Sequence, residues 1–321
     1  MCVFRLAENR NEKGKDQRMA IVETLQELMT QDDRIVVLEG DLGAASGFAK
    51  IGKSHPERFI QCGIAEANMT GVAAGLSLLG FKPWIHSFAP FVSRRNFDQL
   101  YVSGAYAQNT INIYGSDPGF AVAHNGGTHT AWEDVALMRT IPGSIVVDPC
   151  DAVQFAWVVR ELMKLKGIHY VRSNRKAVRK VYSEDSAFTL GKGNLLKKGS
   201  DVLIVCAGEL ISEALDAAEV LEEKGYSVAL IDMFTIKPLD KELLLAEVKG
   251  KKLMISFENH SVIGGLGSAI EEVIAANSMN IRFYKIGVEE RFGQVGSAAF
   301  LQKEYHLTAQ DMIDKVMSEL G

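Results

Sequence analysis

The sequence predicts an α/β protein built from two doubly wound, mostly parallel-sheet sandwich domains. Short apolar runs of strand length alternate with stretches of helical period along the chain, which is the grammar of parallel sheets joined by right-handed crossovers. Polar, glycine-rich loops follow several of the strands, at the end where such sheets bind ligands. From about residue 178 to 199 the periodicity fails and Ser, Glu, Asp, Gly and Lys collect. The boundary falls there, giving domains 1–185 and 186–321.

In the first domain, residues 18–30 read as a helix with Ile21, Val22, Leu25 and Leu28 on one face. Residues 34–39 read as a strand, followed by the loop Gly40-Asp41-Leu42-Gly43-Ala44-Ala45-Ser46-Gly47. Residues 65–79 read as an apolar, small-residue helix that Met69, Val72, Ala73, Ala74, Leu76 and Leu79 would largely bury. Strands near 84–88 and 110–114 flank a helix over 91–105. The loop 115–130 carries four glycines, and a long ordered loop in an α/β domain usually serves function. Residues 144–148, 153–165 and 169–172 close the unit as strand, helix and strand. The second domain has strands at 202–206, 227–232, 252–258 and 281–286 and helices at 210–224, 268–276 and 308–320. Its run Gly264-Gly265-Leu266-Gly267 lacks the spacing of a dinucleotide fingerprint and reads as a tight turn into a helix, with Glu258 and His260 holding an interface.

Hydrophobic residues make up 47% of the 321 and charged residues 23%, enough apolar material for two cores. Net charge is −5, with both signs interspersed, so neither a nucleic-acid stripe nor a cationic membrane arm stands out. No apolar run reaches bilayer length, and residues 1–17 lack the apolar core of a signal peptide. Cys2, Cys62, Cys150 and Cys206 are scattered, with no CxxC and no His at ligand spacing. These features predict a reduced cytoplasmic protein without structural zinc.

The chemistry gathers in the loops. Gly63-Ile64-Ala65-Glu66 sets one carboxylate at the head of an apolar helix, as a dipole partner or as a chemical tool. Ser87-Phe88-Ala89-Pro90-Phe91-Val92-Ser93-Arg94 follows a strand, and Asn125-Gly126-Gly127-Thr128-His129 sits in the long loop with Glu133-Asp134 behind it. The second domain adds Ile236-Lys237-Pro238, Glu258-Asn259-His260 and Arg291-Phe292-Gly293. In order, from about Arg18 to the end, this set resembles the C-terminal half of transketolase: a thiamine-diphosphate pyrimidine-binding domain (1–185) followed by the family's C-terminal domain (186–321).

The resemblance implies roles. Glu66 falls on the glutamate that activates thiamine diphosphate by bonding its pyrimidine ring, and a desolvated carboxyl is suited to hold a proton. Phe88 and Phe91 fall near the pyrimidine-stacking aromatics, Arg94 where the superfamily carries tyrosine or arginine, and Asp41 near the cofactor, although an Asx-turn also explains Asp41. His129 matches the histidine that faces the donor sugar. Arg18 and Arg172 fall on two arginines that clamp a sugar phosphate, a task suited to bidentate guanidinium. Departures lie close by. Asp117 stands where the phosphate-site histidine is expected, Asn125 where an aspartate reads a hydroxyl, and His124 where a small or acidic residue is usual. A carboxylate beside a phosphate repels it unless a cation intervenes, which leaves open a donor that is unphosphorylated or ends in another group such as a sulfonate.

The magnesium-diphosphate segment of thiamine enzymes, Gly-Asp-Gly…Asn-Asn, is missing, and no Asn-Asn pair occurs anywhere. The resemblance therefore implies the C-terminal subunit of a split transketolase. It would pair with an N-terminal-half subunit that supplies the Mg2+ ligands, self-associate, and form a heterotetramer with two of each chain. The expected reaction moves a two-carbon ketol unit from a ketose to an aldose through a dihydroxyethyl-thiamine-diphosphate intermediate. Two alternatives stay open: the beta subunit of a pyruvate-dehydrogenase-type 2-oxo-acid dehydrogenase, and a non-catalytic assembly subunit.

Overall fold

The computed structural model describes residues 3–321; Met1 and Cys2 lie outside the described residues. A seven-stranded sheet runs in the order Thr235–Lys237, Ile145–Val147, Ile168–Ser173, Ile111–Ser116, Lys82–Phe88, Ile35–Glu39, Phe59–Gln61. A five-stranded sheet runs Arg282–Val288, Leu253–Ser261, Val202–Cys206, Val228–Asp232, Asn194–Lys197. Neighbours are parallel except Thr235–Lys237 and Asn194–Lys197, each antiparallel on an edge. A two-stranded pair, Lys13–Asp16 with Ala177–Arg179, ties the entry of the chain to the far end of the first domain.

Both central sheets read as unbroken apolar runs because helices cover both faces. Ile35–Glu39 and Ile111–Ser116 are buried at every residue, as are Val202–Cys206 and Val228–Asp232. In the larger sheet the parallel register pairs Glu39 with His86, Phe88 with Ser116, and Ser116 with Ser173. One row of carboxyl ends thus lines a single edge, and the loops 40–47, 62–65, 89–96 and 117–133 all emerge there.

Four features depart from the sequence expectations. First, Thr235–Lys237 comes from beyond the expected boundary yet closes the first domain's sheet beside Ile145–Val147. A three-residue edge strand carries too little alternation to be read from sequence. Second, residues 90–96 do not extend a helix from Phe91. They wind in turns, and regular helix begins with Phe97–Gln99 and continues as the π-helix Leu100–Tyr106. The turns set Phe91 edge-on to Phe88 and bring the Arg95 guanidinium over the Phe91 ring. Third, the helix Glu66–Leu78 is buried on one face only. Met69, Thr70, Ala73 and Ala74 are covered, whereas Leu78 and Leu79 are exposed. The turn Gly264-Gly265 leads into the helix Leu266–Ala276, two residues earlier than expected.

Candidate functional site

Glu66 is the first residue of its helix and is almost wholly buried. Its carboxylate accepts the Ser87 hydroxyl at 3.0 Å and the Arg95 Nη1 at 2.8 and 3.0 Å, one contact to each oxygen. Ser87 comes from the end of Lys82–Phe88, and Arg95 from the turns that follow. The Arg95 guanidinium lies 4.0 Å above the centre of the Phe91 ring. Between Glu66 and Phe91 there is thus a flat slot with a carboxylate on its edge and an aromatic face as its wall.

His129 stands edge-on to both aromatics, with ring centres 5.0 Å from Phe91 and 5.4 Å from Phe88. The loop reaches them because Gly126 takes φ 76° and Gly127 packs against the backbone of Gly293, where a Cβ would collide. His129 Nδ1 pairs with the Thr128 hydroxyl at 2.9 Å. Burial, and after it the charge of Arg95, push the imidazole below the ordinary histidine range.

Past Phe88 the row continues to Arg175, whose guanidinium lies 4.8 Å over that ring. Arg175 bonds the Asp117 carboxylate through Nε and also gives it its backbone N–H at 2.9 Å. Asp117 holds φ 51° at the head of the long loop and lines a cavity of about 400 Å³ with His124, Lys176 and Arg179. The cation that the sequence required beside this carboxylate is therefore Arg175, a residue that the motif comparison did not single out. Arg18 is next to it: its backbone N–H donates to the Arg175 carbonyl at 3.1 Å, and its guanidinium binds Asp16 and the Ala45 carbonyl, each at 3.2 Å.

Glu66, Phe88, Phe91, His129, Asp117 and Arg18 thus lie along one continuous set of contacts. Asp41 sits on the same sheet edge, exposed, with φ 65° and its N–H on the Gln61 side-chain oxygen at 2.9 Å. Asn125 is exposed in the His129 loop. Two expected residues are not brought here. Arg94 points to Glu133 at 2.8 Å, and its neighbour Arg95 takes the carboxylate instead. Arg172, expected to clamp an anionic tail beside Arg18, is buried between the domains. It bonds Asp134 at 2.8 Å, Asp148 at 3.0 Å and the Asn259 carbonyl at 3.0 Å, which leaves no open face for a ligand. Neither Arg95 nor Arg175 stands in a distinctive motif; only the adjacent pair Arg94-Arg95 signalled a cation near Phe91.

A buried carboxylate edge-on to a planar slot fits a flat nitrogen heterocycle: it can accept from, or share a proton with, a ring nitrogen. The Arg95 guanidinium, itself planar and N–H-bearing, fills that geometry here. Among the described residues, no group of three His, Cys, Asp or Glu is arranged to hold a metal ion. No helix among them is long and apolar enough to cross a membrane.

Residues 13–180 match the family model described as transketolase, pyrimidine binding domain, and residues 191–312 match transketolase, C-terminal domain. The chain is 41% identical over 296 residues to a 6-deoxy-6-sulfo-D-fructose transketolase subunit of Clostridium sp. (strain MSTE9), covering 92% of each. It is 37% identical over 270 residues to an apulose-4-phosphate transketolase subunit of Phocaeicola vulgatus, covering 84% of this chain and 86% of that one. Among solved structures it superimposes with a TM-score of 0.88 and 38% identity on a split gene transketolase, inactive beta4 tetramer. That match covers 96% of this chain and 99% of the other.

Proposed function

The chain belongs to the transketolase family, and from that premise we propose that it is the C-terminal subunit of a split transketolase that transfers a two-carbon ketol unit from a ketose to an aldose. The observation that carries the proposal is the buried Glu66 carboxylate, joined through Arg95 to the Phe91 ring, whose other neighbour is His129. Thiamine diphosphate, when bound, supplies the carbon nucleophile for such a transfer. Glu66 holds a proton at a carboxylate oxygen, oriented by the Ser87 hydroxyl. Phe91 and Phe88 give the aromatic wall and exclude water. His129, kept neutral by its surroundings, hydrogen-bonds donor oxygens and moves protons at a ring nitrogen. Arg18 and Arg175 hold the far end of the sugar, with Asp117 and Asn125 tuning which end group fits.

The diphosphate and its Mg2+ are held by an N-terminal-half partner, and the working assembly contains two of each chain. In keeping with the beta4 tetramer formed by the split-gene relative, this chain also self-associates.

The test is reconstitution with a candidate N-terminal-half subunit, followed by assays with phosphorylated, unphosphorylated and sulfonated ketoses and with 2-oxo acids. The expected result is aldose-dependent turnover of a ketose in the complex only, lost in Glu66→Gln by a factor on the order of 100 or more. Turnover of a 2-oxo acid in place of ketoses, or full activity of Glu66→Gln, overturns the reading.

A further inference from the structure

We propose that residues 291–295 of the second domain brace the loop that carries His129, which makes them positioning residues for the transfer reaction. The inference rests on the role given to His129 above.

The loop 117–133 has little structure of its own. Its regular pieces are the short 3₁₀ segments Gly119–Asn125, itself broken at Ala123, and Gly127–His129. Ordering such a segment costs backbone entropy that its few internal hydrogen bonds do not offset, so its position is set by what packs against it. The first domain ties down the entry, where Asp117 meets Arg175. The second domain supplies the next anchors. The Asn259 side chain accepts the Phe120 N–H at 3.1 Å and donates to the Pro118 carbonyl at 3.2 Å. The Ser261 N–H donates to the Trp132 carbonyl at 3.0 Å. Between these anchors, the turn that bears His129 lies against residues 293 and 295.

That contact is backbone on backbone. A Cβ on Gly127 would stand 2.3 Å from the Gly293 carbonyl oxygen, and one on Gly293 would stand 2.3 Å from the Thr130 hydroxyl. Neither glycine has a positive φ, so the approach itself, and not the backbone conformation, requires glycine at both positions. Val295 closes the other side, 2.7 Å from where a Cβ on Gly126 would be. The Thr130 hydroxyl donates to the Gly126 carbonyl at 3.0 Å and closes the turn around His129.

The brace is itself fixed. The Gln294 N–H donates to the Tyr305 hydroxyl at 3.0 Å, and the Arg291 guanidinium lies 4.5 Å over the Tyr305 ring and bonds the Glu304 carbonyl. Tyr305 is buried, with its ring edge-on to Trp132 and the ring centres 5.1 Å apart. One aromatic thus links the brace to the far end of the loop. A misplacement of about 1 Å at a group that handles protons can cost on the order of 100-fold in rate. Support of this kind therefore acts on kcat and not on folding alone.

The experiment compares variants in the reconstituted complex by kcat, KM, thiamine diphosphate affinity and amide hydrogen exchange over residues 117–133. Gly293→Val pushes the turn away and is expected to lower kcat on the order of 100-fold, with thiamine diphosphate affinity within about two-fold of wild type. Exchange across residues 126–130 rises. Tyr305→Phe keeps the ring and removes only the hydroxyl that accepts from Gln294, so it stays folded and shows both effects to a smaller degree. Val273→Ala, a buried position in the helix Leu266–Ala276 outside these contacts, destabilises the second domain and leaves kcat unchanged. In a His129→Gln complex, Gly293→Val is expected to lower kcat by less than about two-fold further, because its effect passes through His129. A wild-type kcat in Gly293→Val, unaltered exchange across residues 126–130, or a full further loss in the His129→Gln background overturns the inference. So does a parallel fall in thiamine diphosphate affinity, or an equal loss of kcat in Val273→Ala, which makes the effect one of domain stability. If the wild-type complex turns over no ketose, the proposed function fails instead, and exchange across residues 126–130 alone decides whether residues 291–295 brace the loop.

Discussion

Arg95 meets Glu66 with a single nitrogen placed 2.8 and 3.0 Å from its two oxygens, while the rest of the guanidinium lies over Phe91 at 4.0 Å. A flat cation thus occupies the slot that a planar heterocycle requires. A ring that enters must displace it, and a charge-assisted hydrogen bond to a buried carboxylate opposes that exchange by about 1.5–3 kcal/mol. Arg95→Gln keeps a polar side chain but removes the charge and the flat stack. In the reconstituted complex we expect thiamine diphosphate to bind about ten-fold tighter to Arg95→Gln than to wild type by calorimetric titration. Weaker binding would mean that Arg95 is a ligand of the bound ring and not its competitor.

The same arginine acts on His129. Burial first, and Arg95 second, lower the imidazole pKa below the ordinary histidine range. Neutral His129 therefore persists to lower pH than a solvated histidine allows, and its acid limb in kcat/KM lies below that of a free histidine. In Arg95→Gln the limb should move up toward the ordinary value, and in His129→Gln it should vanish along with most of the turnover. A limb that ignores Arg95→Gln but disappears in His129→Gln would place the charge coupling elsewhere.

The carboxylate, the aromatics and the histidine were legible in the sequence because each lies in a short motif at a strand or helix end, where local sequence sets position. Glu66, Phe91 and His129 are cases of this. Arg95 and Arg172 were not legible, for a common reason. Which of two adjacent arginines faces Glu66 depends on how residues 90–96 wind, and the eye reads that stretch as helix. Whether an arginine on a strand end faces ligand or interior depends on what the second domain packs against it; here that is Asn259, 87 residues away. The exposed side of the Glu66 helix escaped for a related reason: an apolar helix face left exposed has the same sequence signature as one buried in its own core.

Asp117 and Arg175 form a neutral pair at the far end of the site. Arg175 meets an incoming anion only in competition with Asp117, so the pair disfavours a dianionic end group relative to a singly charged or neutral one. Asp117→Asn retains an oxygen for the Arg175 N–H and releases the guanidinium. We expect kcat/KM for a phosphorylated ketose to rise about ten-fold relative to its unphosphorylated counterpart, chiefly through KM. An unchanged ratio across the donor panel would remove Arg175 from end-group selection.

Arg172 organises a buried acidic cluster that spans the two domains, and the cluster sets how stability responds to pH. Asp134 and Asp148 from the first domain bond its guanidinium. From the second, Glu209 accepts from Asn174 at 2.7 Å and Asn259 at 2.8 Å, and Glu258 accepts the N–H groups of Leu266 and Gly267. Burial raises Asp148 to about 6 and Glu209 and Glu258 to about 7, with Arg172 opposing the rise in all three. Each folded-state value exceeds the unfolded one of roughly 4, so above that pH the folded protein holds more protons than the unfolded chain. The stability these acids contribute is complete below about pH 4 and is lost as pH rises through 6 to 7. At constant ionic strength the thermal midpoint should therefore fall between about pH 6 and 8, and Glu209→Gln should flatten that slope. Arg172→Met strands Asp134 and Asp148 without their cation and should cost about 3–5 kcal/mol at neutral pH, read as a lower denaturant midpoint. A thermal midpoint that is level from pH 6 to 8, or an Arg172→Met protein as stable as wild type, would show that the cluster does not hold the domains together.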